Sequence, residues 1–482
     1  MYVGYFFEYS MINLLFFILL LFILFFLTFL VLNKNDLFFA IYTWMFFYLI
    51  FPKKSIVVGL NSVITNMVNL SDDLLIATQF SFYDIMNSMI LAIILYKILF
   101  LKEIKHNNFS QTFVTIFSLL LAVGILQNIY FNLFFTSQFG ENYLTQFHHL
   151  LKIVEGLIFS VAIYYSINSK QQLNLLFNIA IFASIITVIE FFLAQYTSFL
   201  PDFIRYFVID YRGGFRSFIH SGPLIVGMVL FYGFLGILYK RNYNFIFLII
   251  LMILPVFYTY QRSIMLLFIV SSILFFFLSI KYKNLLEKII QGTILLLLIV
   301  PLFYASFTNF FNSFNENFNI SSVDGTVLKA DGWFNFTSSD DRDAVLKRGL
   351  DVFYAYPLFG SGPGNIELMM SSDQIIPKAN LSNMNQETIQ GYYDVITGYH
   401  PTDPHNFYVR IIGEYGIFGI MFLIILGYLF FSKIIKINII NNEKMIAICG
   451  ISSISLYALL QTFPISFPLL IFLFRIMDID DV

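Results

Sequence analysis

Residues 244–280 read NFIFLIILMILPVFYTYQRSIMLLFIVSSILFFFLSI, and this stretch decides the fold. Its only charged residue is Arg262. As one continuous helix it would measure about 55 Å, whereas the apolar core of a bilayer is about 30 Å thick. The chain must therefore fold back near residues 261–263. The stretch predicts two membrane-crossing helices, at 244–260 and 264–280, joined by a very short connection that carries Arg262.

The composition of the whole chain agrees with a membrane protein. Of its 482 residues, 59% are hydrophobic and 12% are charged, whereas soluble domains carry about 25% charged residues. This composition excludes a soluble enzyme, a disordered chain and a disulfide-built secreted protein. A net charge of −2 argues against nucleic acid as a partner, and the single Cys449 excludes internal disulfides and a thiolate metal cluster. We predict an all-α, polytopic integral membrane helical bundle.

Apolar runs of membrane-spanning length recur along the chain. They lie near 11–32, 37–52, 84–101, 112–134, 149–167, 173–197, 219–239, 244–260, 264–280, 290–310, 406–431 and 445–463, followed by a short Pro-broken run at 464–474. The stretch 55–70 is either a weak span or a re-entrant segment. We therefore expect 11–14 transmembrane helices. The first run has no preceding Lys or Arg and is longer than a signal-peptide core, so we expect a retained helix.

Lys and Arg residues fall in every second short connection, which sets the orientation. The basic connections follow residues 101, 168, 239, 280 and 432, and we predict that they are cytoplasmic. The connections at 135–148, 198–218, 261–263 and 311–404 then lie outside.

The predicted organisation has three parts. These are an N-terminal transmembrane bundle at 1–310, a large extracytoplasmic (periplasmic) loop at 311–404, and C-terminal transmembrane helices at 405–482. Acidic residues outnumber basic ones in the loop. We expect the loop to be partly helical, because 342–356 is amphipathic, follows acidic residues and precedes Pro357.

Arginines in the outer connections are the first candidate site residues. Arg212 and Arg216 lie in 198–218, and Arg262 lies in the connection at 261–263. The positive-inside rule disfavours such positions. A guanidinium presents a fixed fork of donors that suits phosphate oxygens, so a diphosphate at the outer face is a fitting ligand. The alternative is that these side chains reach lipid headgroups, which we favour for Arg205 and leave open for the other three.

The segment 399–419 reads YHPTDPHNFYVRIIGEYGIFG and contains a candidate general base. His405 opens an apolar run at the predicted outer face and has the chemistry to accept a proton. His400 is a weaker rival. The alternative is that residues 403–406 are only a helix start, capped by Asp403 or Asn406. Glu414 lies too far along the helix to reach His405 and is expected to face other helices.

Alternate glycines mark a turn in the outer loop. Gly360, Gly362 and Gly364 lie in PLFGSGPGNI, residues 357–366. Glycines there allow tight turns and close approach of the backbone to a ligand, and a plain loop explains them equally well. The stretch is not a P-loop. The nearby Asp340, Asp341 and Asp343 lack the rest of a calcium-loop pattern, so we expect no metal site.

Taken together, these motifs resemble the bacterial O-antigen ligase and O-antigen polymerase superfamily. The ligase pattern of an arginine followed four residues later by leucine matches Arg262 and Leu266, and a histidine followed eleven residues later by glycine matches His405 and Gly416. Polymerase-like arginine–glycine spacings occur at Arg216 with Gly227 and at Arg348 with Gly364. The family's sequence of Arg, amphipathic stretch, Pro and Gly-rich turn begins here at Arg342.

This resemblance implies a membrane-embedded C-type glycosyltransferase that needs no cofactor or metal, in the bacterial cytoplasmic (inner) membrane. The implied partners are an undecaprenyl-diphosphate-linked oligosaccharide, an acceptor glycan, membrane lipid and a chain-length regulator protein. The implied catalytic residues are His405, Arg262 and Arg216. Diphosphate binding is assigned to Arg212, Arg216, Arg262, Arg342 and Arg348, and loop positioning to Gly360, Gly362 and Gly364.

The function that this implies is polymerisation of lipid-linked repeat units of a surface polysaccharide at the outer face of the membrane. Two alternatives remain open. The first is a ligase that transfers the lipid-linked glycan to lipid A–core or another acceptor. The second is a transporter (flippase) of the lipid-linked glycan, which would bind the same diphosphate without needing His405.

Overall fold

A computed structural model describes residues 37–50, 82–100, 108–135, 143–196, 223–240, 246–258, 262–279, 337–372, 406–435, 441–459 and 467–479, with the isolated positions 25, 375 and 404. Within these ranges helices are the only regular elements, which confirms the predicted all-α class. The helices are α1 (Leu37–Ile50), α2 (Phe82–Phe100), α3 (Asn108–Phe134), α4 (Tyr143–Ser166), α5 (Lys170–Tyr196), α6 (Pro223–Lys240), α7 (Ile246–Tyr258), α8 (Arg262–Ser279), α9 (Thr337–Ala355), α10 (Ile366–Met370), α11 (Phe407–Tyr415), α12 (Ile417–Ile435), α13 (Asn442–Tyr457) and α14 (Phe467–Ile476).

Several of these helices are long and apolar enough to cross a membrane. Within the described ranges, four such spans occur, at Thr115–Phe134, His149–Ser166, Lys170–Ala194 and Ile417–Ile435, together with shorter apolar helices. The chain is therefore a polytopic helical membrane protein. Apart from position 25, the runs expected at 11–32, 55–70 and 290–310 lie outside the described residues, so the total of 11–14 spans stays a prediction.

Two element boundaries follow the sequence closely. In the long run at 244–280, α7 ends at Tyr258 and α8 begins at Arg262. The residues between them lie outside the described part of the chain, so the fold-back that the excess length requires stays a prediction. In the outer loop, the amphipathic stretch expected at 342–356 forms α9, which begins at Thr337 and ends at Ala355, just before Pro357.

The run 406–431 was expected to form one span, and this prediction is wrong. It is divided into α11 and α12 at Gly416, whose φ of 59° and ψ of −135° no helical residue adopts. A positive φ with this ψ is a conformation that only glycine adopts readily. The candidate span is therefore Ile417–Ile435, and α11 is a separate amphipathic helix ahead of it.

The chain divides into two compact units. The first comprises Met1–Ser110, Ile158–Ile264 and Asp478–Val482. Its helices α5 and α6 pack at very close range, because a Cβ at Gly233 would collide with Ser184. The Ser184 hydroxyl donates across this contact to the Val229 carbonyl at 3.0 Å. Small residues that let helix backbones approach are typical of membrane bundles.

The second unit comprises Gln111–Leu157 and Met265–Met477. Its buried core joins α9 and α10 of the outer loop to α3, through Val345, Val352, Ile366, Met370 and Phe131. The described part of the outer loop is therefore packed on membrane helices of its own unit. The predicted division at 310/311 and 404/405 refers to sides of the membrane, which compactness does not test, and it stays a prediction.

Candidate active site

The predicted site residues are described to different extents. His405, Arg212 and Arg216 lie outside the described residues. Arg262 is the first residue of α8, and Arg342 lies in the first half of α9. Only the backbones of Arg262 and Arg342 are described, so their assignment to the diphosphate stays a prediction. The remaining candidates, Arg348 and the three loop glycines, are described in full.

Helix α11 begins directly after His405, and its start is firmly held. The Asn406 side chain accepts from the Val409 amide at 3.0 Å and so caps the helix. Of the two caps predicted from the sequence, Asp403 and Asn406, the structure has Asn406. Its Nδ2 donates to the Leu459 carbonyl at 2.9 Å, and the Phe407 amide donates to the Ala458 carbonyl at 2.9 Å. These bonds fix the backbone beside His405 to the end of α13.

The Gly-rich turn lies against the other end of α11. The Ser361 amide donates to the Gly413 carbonyl and the Gly362 amide to the Glu414 carbonyl, both at 2.9 Å. The Ile417 amide returns a bond to the Pro357 carbonyl at 2.9 Å. The turn therefore satisfies main-chain carbonyls that would be left without partners where α11 ends.

All three alternate glycines adopt a positive φ: 65° at Gly360, 80° at Gly362 and 82° at Gly364. A Cβ at Gly360 would collide with the Glu414 carbonyl, and one at Gly362 would lie 2.5 Å from Asn128 Oδ1. The glycines thus permit both the tight turn and its close approach to α11 and α3. Close approach of this turn to a ligand stays a prediction.

A charged cluster joins α4, α10 and α11 beside this turn. Arg410 Nε lies 3.2 Å from Glu414 Oε1, and the terminal nitrogen Nη2 of Arg410 lies 3.1 Å from Glu367 Oε1. That nitrogen also lies 3.2 Å from His149 Nε2, while His149 Nδ1 lies 3.8 Å from Glu414. The Gly364 amide donates to the buried Glu414 carboxylate at 3.2 Å. As the sequence suggested, Glu414 faces other parts of the chain, and it connects α11 to the Gly-rich turn and to His149 of α4.

Amide side chains from the membrane helices complete the support of the turn. Gln127 of α3 donates to the Phe359 carbonyl and, at 3.3 Å, to the Tyr415 carbonyl. Asn365 donates to Asn128 at 3.2 Å, and Gln146 of α4 donates to Asn365 at 2.9 Å. Side chains of α3 and α4 therefore hold one segment of the outer loop.

Arg348 is fully buried, and its guanidinium bonds to main-chain carbonyls. Nε donates to the Met370 carbonyl and a terminal nitrogen to the Ile375 carbonyl, both at 2.8 Å. The other terminal nitrogen donates to the Ser372 carbonyl. The nitrogen that bonds to the Ile375 carbonyl also lies 3.8 Å from Asp351 Oδ2. In this arrangement Arg348 holds the chain after α10 to α9. Its assignment to the diphosphate stays a prediction, but its fork of donors is already occupied.

Tyr356 directly follows the last residue of α9. Its ring lies 5.2 Å from that of Phe135 at an angle of 76°. Burial raises the pKa of the Tyr356 phenol, and the neighbouring Tyr130 raises this pKa further. Tyr356 therefore remains neutral at physiological pH and acts here as a packing residue.

The Arg410 cluster and the amides of α3 and α4 were not predicted from the sequence. Arg410 and Glu414 are four residues apart on one helix, a spacing that favours an ion pair and was a usable signal. His149 and Gln127 lie more than 200 residues from their partners, and no local pattern connects them. Within the described part of the chain, no three potential metal ligands converge; independence from metal stays a prediction.

Comparison with known proteins relates part of the chain to a known family. Residues 247–424 match a family model described as O-antigen ligase. This range contains Arg262, the outer loop, the Gly-rich turn, His405 and α11. Neither a curated protein nor a solved structure matches the chain. The match supports membrane glycosyltransferase activity of the ligase and polymerase type, and it confirms the predicted resemblance: residues 247–424 of this polytopic membrane protein are similar to the O-antigen ligase family, which is consistent with the O-antigen polymerase and ligase superfamily.

Proposed function

We propose that the chain polymerises undecaprenyl-diphosphate-linked repeat units of a surface polysaccharide at the outer face of the bacterial cytoplasmic membrane. The observation that carries the glycosyl-transfer part of this proposal is the family match at 247–424, which covers Arg262, the outer loop and His405 in one segment. The choice of polymerisation over ligation rests on the sequence-based prediction alone. The hydrogen bonds that hold Asn406, the residue after His405, support this proposal, because they fix the start of α11 next to the proposed base. A base must lie within reach of the proton that it removes.

In the proposed reaction, the acceptor hydroxyl oxygen attacks the anomeric carbon of the lipid-linked sugar. A new glycosidic bond forms as the bond between that carbon and the diphosphate oxygen breaks. His405 takes the hydroxyl proton, and undecaprenyl diphosphate leaves with the bonding electrons. Attack opposite the leaving group inverts the anomeric centre. Arg216 and Arg262, assisted by Arg212 and Arg342, stabilise the developing negative charge in place of a metal.

We assign Arg348 a different part from the one that the sequence suggested. Its three carbonyl bonds support a positioning role, in which it holds the outer loop around α9 and α10. Gly360, Gly362 and Gly364 position the same loop against α11. The Gly-rich turn would then form a fixed wall of the site.

An apolar cavity of about 460 Å³ supports a lipid-linked substrate. It lies among α11–α14, and Phe407 and Tyr408, which follow His405 closely, contribute to its lining. A polyprenyl chain is a suitable occupant, because the lining side chains are almost all apolar and a hydrocarbon chain needs no polar partner. In this proposal the diphosphate lies toward His405.

The family description favours a second candidate, an O-antigen ligase, which shares the chemistry and differs in the acceptor. A reaction of the purified protein in lipid vesicles with an undecaprenyl-diphosphate glycan distinguishes the polymerase from the ligase. We expect a ladder of longer lipid-linked glycans that is unaffected by EDTA, absent in His405→Ala and retained in the matched control His400→Ala.

Other outcomes of that reaction have distinct meanings. Transfer only after lipid A–core is added would identify a ligase. Product formed equally by His405→Ala would remove this residue from the mechanism. If EDTA abolished the transfer activity and Mg²⁺ restored it, the metal-free mechanism would be overturned. No product with either acceptor would favour the transporter alternative, for which lipid flipping is the assay.

A further inference from the structure

The tip of the Gly-rich turn presents large apolar side chains outward. Leu358 is 61% exposed and Phe359 is 53% exposed, although both belong to the predominantly polar outer loop. Exposed apolar residues are costly in water when they are contiguous, and a contiguous patch marks a contact surface. The question is therefore what covers them.

Neighbouring elements extend this tip into a continuous apolar surface. The Phe359 ring lies 6.1 Å from Tyr130 of α3 and 6.3 Å from Phe418 of α12. Tyr130 lies 4.9 Å from Phe134. We name this surface the apolar rim, and it consists of the exposed residues Tyr130, Phe134, Leu358, Phe359, Ile417 and Phe418. None of its members is charged.

The apolar rim lies where two candidate membrane spans end. Phe134 is the last residue of the span Thr115–Phe134, and Ile417 is the first residue of the span Ile417–Ile435. The sequence predicts that both ends are on the outer side. A surface that is continuous with these two ends lies at the level where the membrane meets water, and aromatic residues are enriched at that level.

The tip is fixed at this level by hydrogen bonds to its main-chain carbonyls. Gln127 of α3 donates to the Phe359 carbonyl, and the first amide of α12, from Ile417, donates to the Pro357 carbonyl. Residues 357–359 are thereby tied to one helix that leaves the membrane and to another that enters it.

We propose that Leu358 and Phe359 insert into the interfacial region of the outer leaflet, so that the outer loop is anchored in the bilayer through the apolar rim. The occupant of this surface is lipid, because the rim continues two lipid-spanning helices and carries no charge for a polar partner. The anchor holds the Gly-rich turn, and with it the end of α11, at the membrane surface. This inference depends on membrane insertion alone and not on the proposed reaction.

The test uses Phe359→Trp in a Trp333→Phe background, reconstituted in vesicles of ordinary or brominated phosphatidylcholine. The emission of the buried Trp44 is subtracted with the parent protein. We expect lipid brominated near the headgroup to reduce the emission of the introduced tryptophan about twofold, and lipid brominated near the chain end to reduce it less. Aqueous iodide should have little effect.

Tyr428→Trp in the same background calibrates depth. Tyr428 is 69% exposed on α12 and lies about 16 Å beyond Ile417 along the helix, so it should respond most to deep bromines. Leu358→Trp is a second probe of the tip if Phe359→Trp does not fold. Strong quenching by iodide without quenching by bromolipid would place the tip in water and overturn the proposal. Protection from both quenchers would mean that protein, including a second copy of this chain, covers it, which would also overturn the proposal.

Discussion

Arg348 is a buried cation that donates hydrogen bonds to main-chain carbonyls of residues 370–375. A neighbouring carboxylate, that of Asp351, carries the opposite charge. Lysine has no planar fork and cannot reproduce these bonds. We expect Arg348→Lys to lower the free energy of unfolding by about 2–4 kcal/mol, because buried acceptors lose their donors. Thermal unfolding in detergent measures this effect, and the partly exposed Lys347→Met is the control. If stability is unchanged while KM for the lipid-linked donor rises, Arg348 is a diphosphate ligand after all.

Glu414 joins the Gly-rich turn to α11 through the Gly364 amide and Arg410. Glutamine retains a carbonyl acceptor but loses the charge. We expect Glu414→Gln to lower the free energy of unfolding by about 1–3 kcal/mol, since Arg410 would be left with the more exposed Glu367.

Glu367 provides the comparison for this cluster, because its side chain is 39% exposed and also contacts Arg410. Glu367→Gln should change stability by less than about 1 kcal/mol, as exposed ion pairs contribute little. Both variants are compared by thermal unfolding under the same conditions. Equal losses in the two variants would contradict the central place that we give to Glu414.

At the residue scale, the sequence identified positions that act through local geometry. Asn406 as a helix cap and Gly360, Gly362 and Gly364 as a tight turn depend on neighbours within a few residues. Residues that act through distant partners were missed. Gln127 and Gln146 look like ordinary polar residues in apolar helices until the fold brings Phe359 and Asn365 to them.

The break between α11 and α12 depends on Gly416. A Cβ there would lie 2.6 Å from the Leu358 carbonyl, and the positive φ would strain any other residue. We expect Gly416→Ala to destabilise the protein by more than about 2 kcal/mol or to prevent folding. The yield and thermal stability of the purified protein measure this effect.

Gly427 is the matched control on α12. A Cβ at this position meets nothing within 4 Å. Gly427→Ala should therefore leave stability unchanged or raise it by up to about 1 kcal/mol, because alanine favours the helix. If Gly416→Ala were equally well tolerated, the turn between α11 and α12 would not require glycine.

At the element scale, hydrophobic length predicted where helices lie better than where they stop. It located α7 and α8, because the apolar run at 244–280 is too long to form one span. It failed at 406–431, because that run has an acceptable length for one span and its break depends on a single glycine. The physical signal for the break is a backbone conformation, which an apolar run does not reveal.

At the scale of the whole molecule, composition and periodicity were sufficient for the fold class but not for the packing of the outer loop. The sequence predicted a large loop at 311–404 but did not indicate what it packs against. In the described residues, α9 and α10 share a core with α3, since Phe131 packs with Val352 and Ile366. Such a core joins residues more than 200 positions apart, and a single sequence contains no measure of that proximity.

The membrane orientation is the prediction that connects the remaining ones, since the proposed reaction and the apolar rim both require the loop to be outside. Two introduced cysteines test it in a Cys449→Ser background, which is suitable because Cys449 is buried. Ser322→Cys lies in the predicted outer loop. Ser169→Cys lies in the exposed connection between α4 and α5, which the basic residues assign to the cytoplasm.

In cells stripped of any outer membrane, an impermeant maleimide should label Ser322→Cys at least about tenfold faster than Ser169→Cys, because only the outer loop is accessible. Permeabilising the membrane should bring Ser169→Cys to a comparable rate. The reverse order of labelling would mean that the whole bundle has the opposite orientation. His405 and the Gly-rich turn would then lie on the cytoplasmic side, which would exclude a reaction at the outer leaflet. Labelling of both sites in intact cells would instead mean that the number of crossings between residues 169 and 322 is even, and the assignment of spans in that interval would have to change by one.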